Sequence, residues 1–504
     1  MRSVSLRRAV LLLVGAAFSK RGLAEDIPDF NWTSITPSRD LKYHECYNGY
    51  RCARLQVPLD WTEPDNASSS WAVIGIATLP AVVPSTDPSF GGTVLINPGG
   101  PGGAGTEMVL LFGKYLQGIL DGEKHYEILG FDPRGIGRTT PSASCYTDDL
   151  NRLVDAVQQG GMPLIGSGDV GLNLHYQAAV GFGQLCGQQN LGRGNILAHM
   201  STASVARDML EIVERVDSSR NSGRGNSTHK AQLQYFGVSY GTYLGNTFAT
   251  MFPDRVGRMV LDSVADAGNF SSGSWRKNLD DTEAVADYFY QTCFDAGASC
   301  PLRQGQDQSA ANVRKLVDKF IRSLETNPVP AVQGGRVRLL TSGGGLCTRL
   351  APTHVPLDCP WCSEATFGVL CGDSAATAAQ RVRSVSWARE EARILLTCVD
   401  WQFAPKDAFS GPFESSVPLL ILSNRYDPAT PLANAYALSR QHRGSAVVVQ
   451  ESYGHATVLT STSNCTAGII REYFSSGKLP ANGTSSAANC AASIPFKSCP
   501  GLLE

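Results

Sequence analysis

Near its middle, this 504-residue chain reads Leu233-Gln234-Tyr235-Phe236-Gly237-Val238-Ser239-Tyr240-Gly241. The residues up to Gly237 predict a buried strand, and the residues after Gly241 predict a helix that ends near Phe252-Pro253. Glycines two residues before and after Ser239 relieve crowding at a sharp strand-to-helix turn and leave the serine hydroxyl exposed. Such a pattern arises by chance about 0.5 times in a chain this rich in glycine. The flanking strand and helix therefore single out Ser239, rather than the pattern alone.

Strands and helices alternate on both sides of this turn. Residues 93–97 and 126–131 predict buried strands, 204–216 predict a helix, and 256–261 predict a further strand. Before them, the alternating residues of 55–83 predict an opening meander of strands. Because strands that alternate with helices form a mostly parallel sheet with helices on both faces, the chain is predicted to have an α/β fold.

The alternation of strands stops between Asp262 and about Asp400. Helical patterns at 281–290 and 311–324 share this segment with a cluster of cysteines, so we expect a lid inserted into the core. Strands resume at 417–422 and 446–449. The predicted organisation is a signal peptide at 1–24, the first part of the core at 25–262, a helical, cysteine-rich lid at 263–400 and the C-terminal part of the core at 401–504.

The candidate nucleophile needs two partners. A serine hydroxyl is a weak nucleophile at neutral pH and requires a histidine base that a carboxylate orients. In folds with a serine at such a turn, the chain order is serine, acid, histidine. Asp427 and His455 fit this order, and each follows a strand that resumes after the lid. A turn aspartate and a surface histidine would explain each residue alone, but together they predict the triad. Asp262 is the second-ranked candidate for the acid.

A glycine-rich loop, Pro98-Gly99-Gly100-Pro101-Gly102-Gly103-Ala104-Gly105, follows the strand at 93–97. Glycines let backbone amides approach a ligand closely, and the tetrahedral intermediate of acyl transfer needs two amides aimed at its oxyanion. Tyr240 and Gly100 are the predicted donors, because Pro101 has no N–H. A phosphate-binding loop is the alternative, but the Gly-Lys-Ser/Thr ending and the dinucleotide spacing are missing. No cofactor and no metal are predicted.

Composition and processing signals predict export. Arg7-Arg8 precedes an apolar run at 9–18 and small residues up to Ala24, which is the layout of a cleaved secretory signal. The chain has 14 cysteines, many for a cytosolic protein. Asn-x-Ser/Thr sequons begin at Asn31, Asn66, Asn226, Asn269, Asn464 and Asn482. The net charge of -2 excludes a strongly basic nucleic-acid-binding class. We therefore expect a secreted, extracellular protein with no nucleic-acid partner and no membrane attachment after the signal is removed.

The cysteine spacing predicts local disulfide bonds. Cys46 is expected to pair with Cys52, and Cys293 with Cys300. Some pairing is also expected within a cluster whose connectivity stays open, formed by Cys347, Cys359, Cys362, Cys371 and Cys398. The Cys359-x-x-Cys362 pair would also suit half of a zinc site, but no second Cys/His pair lies at finger spacing, so disulfides are favoured.

With these residues in place, the chain resembles the tripeptidyl-aminopeptidase-like branch of the α/β-hydrolases, relatives of the prolyl aminopeptidases. The motifs that carry the resemblance are Val57-Pro58-Leu59-Asp60-Trp61, residues 97–105, 132–137, 237–245 and 252–256, and the stretch 418–490 with Asp427-Pro428-Ala429-Thr430-Pro431 and Gly454-His455. The resemblance implies an α/β-hydrolase fold, the triad Ser239, Asp427 and His455, and an oxyanion hole at Gly100 and Tyr240. At Ser263 the chain departs from the pattern, because a glycine is usual there.

The resemblance also implies an activity. The implied activity is that of a serine aminopeptidase, which releases short N-terminal peptides through an acyl-enzyme. Its implied partner is a peptide with a free N-terminus. An acidic lid residue would hold the free amine, and the candidates are Glu283, Asp280, Asp281 and Asp287, although a solvated acidic helix face is their simpler explanation. A carboxylesterase or small-molecule hydrolase is the alternative, because function on this fold depends on the lid. A catalytically silent binding protein is the alternative of another class.

Overall fold

The computed structural model of the protein describes residues 29–64, 70–163, 169–190, 195–221, 230–273, 276–324, 327, 329–333, 336–340, 363–373, 398, 400–487 and 490–491. The predicted signal peptide, three of the clustered cysteines (Cys347, Cys359 and Cys362) and two sequons (Asn66 and Asn226) lie outside these residues. Within the described ranges, no helix combines the length and the apolar character needed to cross a membrane.

Ten strands form one central sheet. They are β1 (His44–Cys46), β2 (Tyr50–Pro58), β3 (Trp71–Leu79), β4 (Phe90–Asn97), β5 (His125–Phe131), β6 (Leu233–Val238), β7 (Val256–Asp262), β10 (Leu420–Tyr426), β11 (Ala446–Tyr453) and β13 (Thr484–Ala487). Their order is β1-β2-β3-β5-β4-β6-β7-β10-β11-β13. The first pairings, up to β3 with β5, are antiparallel, and every later pairing is parallel. This confirms the mostly parallel sheet with an opening meander.

Helices cover the sheet on both faces. In chain order they are α1 (Gly105–Leu120), α2 (Asp149–Gly160), α3 (Asp169–Asn190), α4 (Thr202–Asn221), α5 (Tyr240–Met251), α6 (Ala267–Ser271), α7 (Thr282–Asp295), α8 (Ala310–Ser323), α9 (Ser363–Asp373), α10 (Leu432–Gln441), α11 (Thr457–Thr460) and α12 (Asn464–Ser476). Leu95 and Leu261 pack into one hydrophobic cluster, while their neighbours Ile96 and Val260 pack into another. Because successive side chains of a strand point to opposite faces, both faces of the sheet are apolar and buried.

The register of the parallel strands brings their carboxyl ends to one edge. Asn97 pairs with Gly237, Val238 pairs with Asp262, and Asp262 pairs with Leu422 on its other side. The segments that follow β4, β6, β7 and β10 therefore leave the sheet side by side. This edge is where ligands bind in open parallel sheets.

The segment between β7 and β10, which we call the insert, departs from the purely helical prediction. It contains helices α6 to α9, but it also contains an antiparallel hairpin of β8 (Val329–Gln333) and β9 (Arg336–Leu340). A second small pair joins β12 (Ser461–Thr462) to β14 (Cys490–Ala491) outside the insert. Strands of two to five residues are too short to show an alternation that can be recognised from the sequence.

The described residues contain four disulfide bonds. Cys46–Cys52 and Cys293–Cys300 form as predicted, and Cys371–Cys398 falls within the cluster whose pairing stayed open. Cys145–Cys186 was not predicted, because its cysteines are 41 residues apart in the sequence. This bridge ties helix α3 to the loop that precedes α2.

Candidate functional site

Ser239 occupies a sharp turn between β6 and α5. Its backbone has φ 57° and ψ -125°, a conformation that side chains rarely adopt, and helix α5 begins at the next residue. The flanking glycines are sterically required: a Cβ on Gly237 would lie 2.5 Å from the Gly241 carbonyl oxygen, and one on Gly241 would lie 2.7 Å from the Asn97 oxygen. The spacing found in the sequence is therefore a packing requirement of the turn.

The glycine-rich loop lies against this turn. A Cβ on Gly99 would approach the Val238 carbonyl oxygen to 2.4 Å and the Tyr240 amide nitrogen to 2.8 Å. Gly99 and Gly100 both have positive φ, at 86° and 111°. Only glycine adopts such a path without strain at this proximity, so the loop that carries Gly100 is seated beside the Tyr240 amide.

Asp427 and His455 are in direct contact. Both carboxylate oxygens of Asp427 lie 3.0 Å from Nδ1 of His455. The Asp427 side chain is fully buried, whereas the His455 side chain keeps 32% of its surface exposed. A carboxylate at Nδ1 fixes the ring with that nitrogen protonated, which leaves Nε2 as the proton acceptor.

Thr430 is a member of the site that sequence reasoning missed. Its hydroxyl donates to Oδ2 of Asp427 at 2.8 Å and lies 3.1 Å from Nδ1 of His455. The amides of Ala429 and Thr430 donate to Oδ1 of the same aspartate at 2.9 Å. An aspartate that can accept from the amides two and three residues later is typical of a side-chain-capped turn, so Asp427-Pro428-Ala429-Thr430 did contain a signal for Thr430.

These contacts shift the pKa values of Asp427 and His455 in the directions expected for an orienting acid and a base. Burial alone would raise the pKa of Asp427, but the hydrogen bond and charge of His455 and the two turn amides hold it below its usual range. Burial would lower the pKa of His455, but the hydrogen bond and charge of Asp427, with the charge of Asp262, raise it above its usual 6.5.

Asp262 joins the two halves of the site without contacting the imidazole. Its backbone carbonyl accepts the Ser239 amide at 3.0 Å. Its buried carboxylate accepts the amides of Thr457 and Val458, at 2.9 and 3.3 Å, where helix α11 begins just after His455. Burial raises the pKa of this carboxyl. Asp262 therefore holds the backbone beside Ser239 and His455, and Asp427 is the carboxylate that contacts the ring.

The surroundings of Ser263 explain how a serine is accommodated where the family pattern has a glycine. Its φ is 62°, in the left-handed region where glycine is usual. The side chain is fully buried, and its hydroxyl accepts the Ala456 amide at 2.9 Å. The hydrogen bond to the residue that follows His455 thus offsets the backbone strain at Ser263.

The insert touches the site through helix α7. Asp281, just before α7, accepts the Asp427 amide at 3.3 Å through Oδ2, and the hydroxyl of Thr282 donates to the Pro428 carbonyl at 3.3 Å. The ring of Tyr288 stacks on Tyr453, with centroids 3.7 Å apart. Burial raises the pKa of Asp281. Of the four acidic candidates in the insert, Asp281 is the one that contacts the turn at Asp427.

The other acidic candidates are placed differently. Glu283 and Asp287 are largely exposed and form ion pairs with Arg314 of helix α8, each at 2.6 Å. Asp280 is exposed on the turn before α7. The carboxylates of Glu283 and Asp287 are thus engaged in joining α7 to α8, as expected for a solvated acidic helix face.

Comparisons with known proteins agree with this architecture. The sequence profile of a family described as "alpha/beta hydrolase fold" matches residues 92–299, and that of a family described as "TAP-like protein" matches residues 383–486. The two matched segments carry the turn at Ser239 and the contact between Asp427 and His455, respectively.

Characterised proteins are similar over most of the chain. Tripeptidyl aminopeptidase of Streptomyces lividans is 24% identical over 472 residues, which cover 86% of this chain and 82% of that protein. Serine protease Hip1 of Mycobacterium tuberculosis is 25% identical and covers 86% of this chain and 87% of its own. Carboxylesterase B of the same species is 27% identical and covers 85% of each. The chain thus belongs to the tripeptidyl-aminopeptidase-like branch of the α/β-hydrolases and is a serine hydrolase.

Proposed function

We propose that the protein is a secreted serine peptidase that releases short peptides from the free N-terminus of longer ones. Ser239 is the nucleophile, His455 the general base and Asp427 the acid that orients it. The observation that carries the proposal is the contact of both Asp427 oxygens with Nδ1 of His455, on the same sheet edge as the strained turn at Ser239.

The proposed reaction proceeds through an acyl-enzyme. Nε2 of His455 takes the Ser239 proton as the serine oxygen attacks the scissile carbonyl, and the amides of Gly100 and Tyr240 stabilise the oxyanion. The imidazolium returns the proton to the leaving amine, the carbon–nitrogen bond breaks, and the N-terminal fragment stays esterified to Ser239. A water molecule, deprotonated by His455, then hydrolyses the ester and restores the serine.

The insert is proposed to select the substrate as a lid. Asp281 is half-buried beside the catalytic turn, which makes its carboxylate the best-placed candidate to bind the peptide ammonium. The names of the relatives from Streptomyces lividans and Mycobacterium tuberculosis support a peptidase. A second candidate function, that of a carboxylesterase, is favoured by carboxylesterase B, a relative of comparable identity.

One purified sample tests these assignments. Wild type and Ser239→Ala would be assayed on tripeptide amides with free and acetylated N-termini and on short-chain nitrophenyl esters, together with labelling by a fluorophosphonate. Turnover of free-amine peptides that is lost in Ser239→Ala supports the proposal. Turnover of esters alone would show that the protein is an esterase and not a peptidase. A wild type that hydrolyses no substrate and is not labelled by the fluorophosphonate would be a binding protein.

Export is a separate part of the proposal. It is supported by the four disulfide bonds, which form in oxidising compartments, and by the signal pattern at 1–24. Expression of the full chain in a eukaryotic host should place the protein in the medium, with an N-terminus near residue 25 on sequencing. Retention of the full-length chain inside the cell would contradict it.

A further inference from the structure

Helix α9 of the insert holds the glycine-rich loop from outside. The hydroxyl of Thr366, in its first turn, donates to the Pro101 carbonyl oxygen at 2.8 Å. Gly102, with φ 105°, passes so close that a Cβ there would lie 2.6 Å from the same hydroxyl. The loop that carries the Gly100 amide is therefore seated on Thr366 by a hydrogen bond and by close packing.

The other end of the same helix reaches the second predicted donor. Asp373 accepts the Thr202 amide at 2.9 Å, and the Thr202 hydroxyl contacts both the Asp373 carboxylate and the Tyr240 hydroxyl. A threonine hydroxyl has one proton to donate; when Asp373 is ionised that proton goes to the carboxylate, so the Tyr240 hydroxyl donates to Thr202. Thr202 and Tyr240 are buried, and burial raises the pKa of Asp373 to about 7.

The ring of Tyr240 is further fixed by aromatic neighbours. It packs on Tyr243 and Phe270, with centroids 6.1 and 5.5 Å away. Because the Tyr240 amide is the first of helix α5 and its side chain is anchored at ring and hydroxyl, the direction of that amide depends on the position of α9. Amide donors act on an oxyanion only when they are aimed at it before the reaction.

We propose that helix α9 assembles the oxyanion hole, with Thr366 and Asp373 as positioning residues for the Gly100 and Tyr240 amides. This inference rests on the proposed function, since it requires Ser239 chemistry at these amides. It assigns the insert a part in the chemical step in addition to substrate selection. Both residues act through other groups, Pro101 and Thr202, so their expected effect is on how well the transition state is stabilised.

The decisive variant is Thr366→Val, which keeps the side-chain volume and removes the hydrogen bond to Pro101. With the best amide or ester substrate of the wild type, kcat should fall about 10-fold, less than the loss of a whole donor would cause, while KM stays within about twofold. Inhibition by a boronic acid with the same acyl group should weaken by the same factor, because its tetrahedral adduct places an oxygen in the hole. Thr366→Ser should restore both values.

Asp373→Asn tests the second anchor. The amide still offers an oxygen to the Thr202 N–H, but its NH₂ group cannot accept the Thr202 hydroxyl proton. We expect a fall in kcat and in boronic acid affinity by a common factor of about 5.

Glu364→Gln is the matched control on the same helix. Glu364 is fully buried, and its carboxylate accepts a hydrogen bond from Arg152 at 2.8 Å. This variant should lower the melting temperature and leave kcat unchanged. If Thr366→Val keeps the wild-type kcat, or if Glu364→Gln lowers kcat equally, α9 is only a packing element and the inference is wrong. If fluorophosphonate does not label Ser239 in the wild type, the proposed function fails and the inference falls with it.

Discussion

The edge of the sheet and the insert above it hold the candidate site by different means. At the edge, the turn at Ser239 and the loop at Gly99 are fixed by backbone contacts that leave no room for a Cβ. In the insert, the contacts to the site are made by side chains: Asp281, Thr366 and Asp373. The backbone of the candidate site is thus set by steric necessity, whereas its contacts with the insert depend on individual side chains.

The largest effect should come from the acid at the edge. Asp427→Asn should lower kcat/KM about 10⁴-fold, because an amide at Nδ1 of His455 favours the wrong tautomer. The pH profile should also move. In the wild type, activity is lost as pH falls through the raised pKa of His455; without the Asp427 charge, burial dominates and that limb should shift to lower pH. A profile that stays in place would show that the limb belongs to another group.

Gly99→Ala is the sharpest test of steric necessity. The added Cβ would meet backbone atoms of Val238 and Tyr240, which cannot move aside as a flexible side chain would. We expect kcat to fall about 10² to 10³-fold, comparable to the loss of an oxyanion donor, together with a lower melting temperature. Gly118→Ala is the control, because a Cβ there meets nothing within 4 Å. Near-normal activity of Gly99→Ala would break the distinction between the two regions.

Thr430→Val tests how much a side-chain hydrogen bond at the edge of the sheet contributes to kcat. The loss of its hydrogen bond to the Asp427 carboxylate should lower kcat about 10-fold, as expected for a bond to a charged group. Thr430→Ser should recover most of the activity. An unchanged kcat in both variants would mean that the two turn amides suffice to hold Asp427.

Asp281→Asn tests the insert as the selector of substrate. If Asp281 binds the peptide ammonium, KM for free-amine tripeptides should rise about 10-fold, with no change on acetylated peptides or nitrophenyl esters. A matched loss on all substrates would instead assign Asp281 to the support of the Asp427 turn, whose amide it accepts.

The smallest effect is expected at the surface of the insert. Arg314→Ala breaks the exposed ion pairs with Glu283 and Asp287, and such pairs contribute little in water. Kinetic constants on free-amine peptides should stay within about twofold and the melting temperature within about 1 °C. A rise in KM confined to free-amine peptides would return Glu283 to consideration as an amine-binding residue.

The strands and the turn at Ser239 could be predicted from the sequence because the constraints on them are local. Gly237 and Gly241 are demanded by contacts within the turn, and the strands around them are continuous apolar runs, so both leave a readable pattern. The order of Ser239, Asp427 and His455 added the long-range information that no single motif contains.

The same reasoning could not find the anchors in the insert. Thr366 and Asp373 lie on a helix with no clear apolar periodicity, and their partners Pro101 and Thr202 are more than 160 residues away in the sequence. A threonine or an aspartate on a helix is usually solvated or a cap, so its residue type alone carries no signal. The Cys145–Cys186 bridge was missed because its cysteines are 41 residues apart, too far for a pairing to be read from local spacing.

The two sets of hydrogen bonds made by Asp262 also bear on how Ser239 and His455 move relative to each other. Its carbonyl oxygen accepts the Ser239 amide, and its carboxylate accepts the amides of Thr457 and Val458 just after His455. Because one residue at the end of β7 makes both sets of bonds, displacement of that strand is expected to move the two backbone segments together. We expect this shared attachment to help preserve the spacing between Ser239 and His455 that the proposed proton transfer requires.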